Sequence, residues 1–211
     1  MKLRYFFRKM FAKHFKLLSE TAYHEAGHVC VSYLAGFTVD RVLIEEDKPG
    51  NGKSDINFGT FNDIVHALFD LEKNAVTFNS LSNDRKGKSK ATAHRLTDSL
   101  VGGPLAEARF KALRDGKQNM EVIVEHSDFK MSLTIEKSLN NILSHYNKSI
   151  IPNHTKEEVI RLAEIMTLDE VWNPIDAIAK AILNSPSFKL EKGEIETILT
   201  KITFLDYIKT L

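Results

Sequence analysis

One cysteine, one tryptophan, five prolines and a formal net charge of only +1 in 211 residues each remove a class of explanation. A lone Cys30 cannot build a disulfide framework and suits a reducing compartment, so the expected location is the cytoplasm. With 29 Lys and Arg against 28 Asp and Glu, no global field draws nucleic acid or acidic substrates, and nucleic acid is not an expected partner. No apolar run approaches the roughly 20 residues of a transmembrane helix or the 7–15 of a signal-peptide core. Internal repeats and low-complexity tracts are lacking too, which excludes a solenoid or a disordered tail.

What is there suffices for one ordinary domain: 43% of the residues are hydrophobic. Residues 1–18 form a basic, aromatic segment carrying Phe6, Phe7, Phe11 and Phe15. Its stripe is expected to pack on its own domain, with docking on a membrane surface or a partner as the other uses. Ser19 or Thr21 is placed to cap a helix that runs through Leu34 and stops at Gly36. Residues 39–44 read as a strand, 45–54 as a polar loop and 56–61 as a second strand, giving a two- or three-stranded sheet. Residues 63–76 are apolar at helical spacing, and the lysine-rich stretch 80–90 reads as a mobile loop. From Ala91 the pattern is helical, with breaks at Asp115-Gly116, Ile151-Pro152-Asn153, Asn173-Pro174 and Asn184-Ser185-Pro186. Thr155 and Glu158 have capping-box spacing. The expected fold is mainly α with a small β-sheet.

His24-Glu25-Ala26-Gly27-His28 lies in the middle of the first of these helices. Two histidines four apart stand one turn above each other, so both imidazoles can reach one Zn²⁺ at about 2.0–2.1 Å. Glu25 projects beside such a metal, where it can take a proton from the attacking water and pass it to the leaving amine. A shuffled chain of this composition would carry about 0.02 such motifs. Gly27 costs about 1 kcal/mol in a helix interior, which implies close approach by another segment. A catalytic zinc needs a third protein ligand, for which Asp128, Glu125, His126 and Glu107 are candidates by type.

Ala22-Tyr23-His24-Glu25-Ala26-Gly27-His28 resembles the peptidase motif of the FtsH family of ATP-dependent membrane zinc proteases. Val101-Gly102-Gly103-Pro104-Leu105-Ala106-Glu107 is similar to that family's GGRAAEE helix, and Ser127-Asp128-Phe129 to its SND-L segment. The resemblance implies a zincin-like helix in a helical FtsH-type peptidase domain, Zn²⁺ as cofactor, Asp128 as third ligand and a polypeptide as substrate. It also implies an edge strand that binds the substrate backbone, at Phe58-Gly59-Thr60-Phe61. Pro104 and Phe129 depart from the family pattern, and the spacing from His28 to Asp128 is longer, with extra length over 45–90.

Only 23 residues precede the motif, so the expectation is a peptidase separated from its motor: an ATP-independent zinc endopeptidase acting on unfolded or exposed segments. Gly52-Lys53-Ser54 looks like the end of a P-loop but lacks its first glycine. The domain is expected over 19–211, with a metal-binding core at 19–146 and C-terminal helices over 147–211. A homo-oligomer is compatible with this reading, and a hexamer is not assumed. The alternative is a zinc-bearing interaction or regulatory module that cleaves nothing. Cys30 and Trp172 are read as packing residues, and His14, His66, His94, His145 and His154, without paired spacing, as surface or core histidines.

Overall fold

Every residue from Leu18 to Tyr33 is buried, so the motif lies on a helix packed into the interior. The computed structural model describes residues 2–70, 76–122, 126–145, 150–151 and 153–210. Helix α1 (Lys2–Leu34) is followed by the strands β1 (Thr38–Ile44) and β2 (Gly52–Asn57), then by a 3-10 turn (Gly59–Phe61). Helices α2 (Asn62–Asp70), α3 (Val76–Ser80), α4 (Asn83–Arg114), α5 (Ser127–His145), α6 (His154–Ile165) and α7 (Asp169–Asn184) come next. The chain closes with β3 (Lys189–Glu191), α8 (Lys192–Lys201) and α9 (Phe204–Ile208). The fold is mainly α with a small sheet. Among the described residues that sheet has three antiparallel strands in the order β2-β1-β3, which leaves β2 on an edge.

The apolar side chains gather in two clusters. One joins the buried half of α1 to β1, α7, α8 and α9 through residues such as Val29, Val42, Ile175, Ile178 and Leu199. The other joins α2, the first half of α4 and α5 through Ile64, Leu68, Leu96, Ile135 and Leu139. Helix α4 runs along both, with Leu96 and Leu100 in the second and Val101 and Leu105 in the first.

Several expectations are corrected. Ser19 and Thr21 do not cap a helix: α1 begins far upstream, and their hydroxyls donate to the carbonyls of Phe15 and Leu17 one turn back. The boundary between residues 18 and 19 therefore falls inside a continuous helix. Phe15 is 63% exposed and does not pack on the domain, while the side chains of Phe6, Phe7 and Phe11 lie outside the described ones. The second strand sits earlier than expected, and Phe58 to Phe61 turn away in a 3-10 turn with Gly59 at φ +52°. The lysine-rich stretch is helical from Asn83, capped by Ser82, whose hydroxyl accepts from the Arg85 N–H. Pro104 and Pro174 lie inside α4 and α7 and end neither, although each removes one helical donor. Thr155 caps nothing: its N–H goes to Glu136, and α6 starts after Asn153 in the left-handed region. Residues 71–75 and Pro152 lie outside the described residues.

Candidate metal centre

Gly27 on α1 faces Gly102 and Ala106 on α4 so closely that a Cβ there would collide with both. A Cβ at Gly102 would overlap Val31, and one at Gly103 would overlap the His28 ring. These three glycines bring two helices to backbone contact and leave the His28 imidazole lying over α4. The close approach expected at Gly27 is therefore met, by the Val101-Gly102-Gly103 block.

The helix contact determines which nitrogens of the two histidines are free. His24 Nδ1 lies 3.0 Å from Glu107 Oε2, and His28 Nδ1 lies 2.8 Å from the Ser99 carbonyl. Both partners are acceptors, so both Nδ1 atoms carry the proton and both Nε2 atoms present lone pairs. Those lone pairs converge. His24 Nε2 and His28 Nε2 are 3.1 Å apart, and Asp128 Oδ2 lies 3.1 Å from the first and 3.2 Å from the second. Three donors bound at about 2.0–2.1 Å around a tetrahedral ion would be spaced by about 3.3–3.4 Å. His24, His28 and Asp128 can therefore hold a metal ion with little movement.

The charges at the site follow from this crowding. Burial lowers the pKa of a histidine, yet at His24 the hydrogen bonds to Asp128 and Glu107 outweigh it and raise the value to about 9. Burial works upward on Asp128 and is overcome by His24 and His28, which hold its carboxyl well below the usual range. At Glu107, burial is likewise overcome by His24 and Lys111, and the pKa falls to about 2. A cavity of three converging acceptors needs positive charge, and without a metal a proton on His24 supplies it.

Asp128 reaches the centre from the first turn of α5. Behind His24, Glu107 pairs with Lys111, which also lies 3.4 Å from Glu20. The His126 ring lies tilted at 4.7 Å from the His24 ring, and its Nδ1 accepts the Asp128 N–H at 3.3 Å. Glu125 lies outside the described residues.

Glu25 is 5% exposed and faces β2. Residues directly opposite in an antiparallel pair share a face, and Ser54 and Gly52 sit opposite the buried Val42 and Ile44. Both therefore turn toward α1. The Ser54 hydroxyl donates to Glu25 Oε2 at 2.7 Å, and a Cβ at Gly52 would overlap the Glu25 carboxylate. Ser54 went unrecognised in the sequence because its triplet reads as a phosphate-loop fragment, and only the strand register shows its direction.

A cleft of about 930 Å³ opens over His24, Glu25, His28 and Asp128. Its walls are the β2 residues Gly52 to Ile56 on one side and Phe58, Phe69, Leu96, Leu100 and Met131 on the other. The edge strand beside the motif helix is thus β2, and the place expected for it at Phe58 to Phe61 is corrected to the polar stretch before it. Cys30 is fully buried and burial pushes its thiol up, which leaves it no nucleophilic role. Trp172 packs beside Tyr23 at the edge of the first cluster. Among the described residues, no helix is long and apolar enough to cross a membrane. Neither the family models, nor the curated proteins, nor the solved structures include a match to this chain.

Proposed function

We propose that the chain is a zinc-dependent endopeptidase of the FtsH type that hydrolyses peptide bonds in extended polypeptide segments without consuming ATP. The observation that carries this reading is the triangle of acceptor atoms from His24, His28 and Asp128, edges 3.1–3.2 Å, beside a buried carboxylate in one cleft. Two imidazoles and a carboxylate form a normal donor set for catalytic zinc. Zinc held there supplies Lewis acidity, which favours ionisation of water and polarises a carbonyl oxygen.

The chain's own residues supply the rest. The outer edge of β2 offers backbone N–H and C=O groups to an extended peptide, which lays the scissile bond along the cleft. Glu25, oriented by Ser54, takes the proton of the attacking water and returns it to the leaving nitrogen. Glu107 and the Ser99 carbonyl hold the two imidazoles in the tautomer that faces the centre. Gly52-Lys53-Ser54 belongs to this strand, not to a loop that opens a helix as a P-loop does.

The non-catalytic reading has one observation in its favour: His126 Nδ1 lies 3.1 Å from Asp128 Oδ2, beside the three-ligand triangle. Against it, that nitrogen already accepts the Asp128 N–H. Glu25→Gln, assayed on unfolded casein without nucleotide, separates the two. Cleavage is expected to fall by about 10²–10⁴-fold with zinc content unchanged. Unchanged cleavage would overturn the mechanism, and no cleavage by the zinc-loaded parent protein would favour the closed module.

A further inference from the structure

His94 and His154, sixty residues apart in the chain, come together where α4 meets α6, with their ring centroids 4.1 Å apart. Glu158, one turn beyond His154 on α6, completes the group. Its Oε1 lies 3.1 Å from His94 Nδ1 and 3.8 Å from His154 Nδ1. Ligand atoms from His94, His154 and Glu158 all fall within 4.8 Å of one another. The other carboxylate oxygen of Glu158 is held at 2.7 Å by Arg161, whose guanidinium also reaches Asp98 at 2.6 Å. Glu158 is thereby pinned from behind with Oε1 turned toward the two rings, the arrangement by which a carboxylate ligand is oriented.

A second observation points to a missing partner. His154 is 1% exposed, and its Nε2 has no hydrogen-bond partner among the described residues. Leaving a buried nitrogen unsatisfied costs about 1–3 kcal/mol. Apolar burial gives no reason to keep two histidines edge to face beside a glutamate, since a leucine would fill the same space without that cost. His94 is one-third exposed, so the group opens to solvent on one side.

We propose that His94, His154 and Glu158 form a second metal site, separate from the cleft, that takes a first-row divalent ion such as Zn²⁺ or Co²⁺ and ties α6 to α4. Imidazole nitrogen suits these ions and excludes Ca²⁺ and Mg²⁺, which favour all-oxygen sets. The site is structural: none of its three residues lines the cleft above His24. The 3.8 Å between Glu158 Oε1 and His154 Nδ1 is wider than any edge of the first centre, so the site fills second.

The test is the stoichiometry of Co²⁺ and Zn²⁺ uptake by the metal-stripped full chain, read by visible absorption and elemental analysis. Two equivalents are expected for the wild type and one for His94→Gln, a partly exposed position where substitution leaves the core intact. Zinc should also raise the melting temperature of a His24→Ala/His28→Ala variant, and the further change His94→Gln should abolish that rise. One equivalent in the wild type that His94→Gln retains would overturn the proposal and assign the orphan nitrogen to a buried water. Two equivalents retained by His94→Gln would overturn it as well.

Discussion

Helix α4 touches both histidine groups, and the two differ in what stands behind the rings. At His24 and His28 each Nδ1–H points away from the centre, to Glu107 and to the Ser99 carbonyl, and three ligand atoms face one another at 3.1–3.2 Å. At His94 and His154 one nitrogen pairs with Glu158, another has no partner, and Arg161 already supplies a positive charge next to the carboxylates. The first group is organised for a cation before any arrives, whereas the second must draw closer to hold one. The lesson is that a ligand set is recognised less by its residue types than by where its donors have been sent. A buried carboxylate held by an edge strand adds the other difference: Glu25 stands beside the first group, fixed by the Ser54 hydroxyl.

The most forceful way to break the comparison is Gly103→Ala. A methyl there overlaps the His28 ring, so either the ring or the helix must move, and overpacking of this kind costs about 1–3 kcal/mol. Displacing the ring by even 1 Å opens the triangle, and activity is expected to fall by more than about a hundredfold, with metal affinity at the first centre falling alongside. Calorimetric zinc titration checks it. His94 lies more than two turns away on the same helix, and uptake there is expected to be unchanged. If both centres were lost together, α4 would have shifted as a body and the two groups would not be independent.

How much of this was legible beforehand varies along the chain. The motif helix, its end at Gly36 and the first strand follow from local chemistry: alternating burial over Thr38–Ile44 and a glycine at φ +80°. The close approach at Gly27 was also legible, because glycine has no local use inside a helix, but its partner, Gly102 on α4, was not. The start of α4 was not: its first turns are lysine-rich and polar, and only Ser89, Thr92 and Ala93, small and buried, show that the helix already has a packed face. The meeting of His94 with His154 was equally hidden, since spacing reveals only ligands that share a helix. Ser54 needed the β1–β2 register, which a bulge between Val39 and Arg41 shifts and no residue count anticipates.

A gentler probe is Glu107→Gln, which keeps the shape and removes the charge behind His24. Partners of this kind are worth about 10–100-fold in metal affinity, and a loss in that range is expected at pH 9. The pH dependence sharpens the contrast. With the His24 pKa raised to about 9, its proton stabilises the metal-free fold most fully below the ordinary histidine value near 6.5, and that contribution is lost as pH rises through about 9. Metal must displace this proton, so affinity at the first centre should weaken roughly tenfold per unit as pH falls below 9. Glu107→Gln lowers the His24 pKa, so its deficit should narrow toward pH 7. At His154 burial lowers the pKa, and the second centre should show a flat profile over the same range. Parallel slopes at the two centres would count against the assignment of tautomers at the first.

The smallest effect is expected at Ser54→Ala, where only a hydroxyl is lost. Ser54 touches no ligand, and its bond goes to the Glu25 carboxylate, so metal uptake should stay the same at both centres. The bond reaches a charged acceptor and is worth about 1.5–3 kcal/mol when intact, but water in an open cleft can replace most of it. A drop in kcat of about three- to tenfold with KM unchanged is therefore expected, because the orientation of the proton acceptor matters in the transition state more than in substrate binding. Ser54→Thr, which keeps the hydroxyl on a residue suited to a strand, should restore most of the rate. A rise in KM at constant kcat would instead mean that Ser54 acts through the substrate-binding edge of β2, and Glu25 would then owe its orientation to its burial under Gly52 alone.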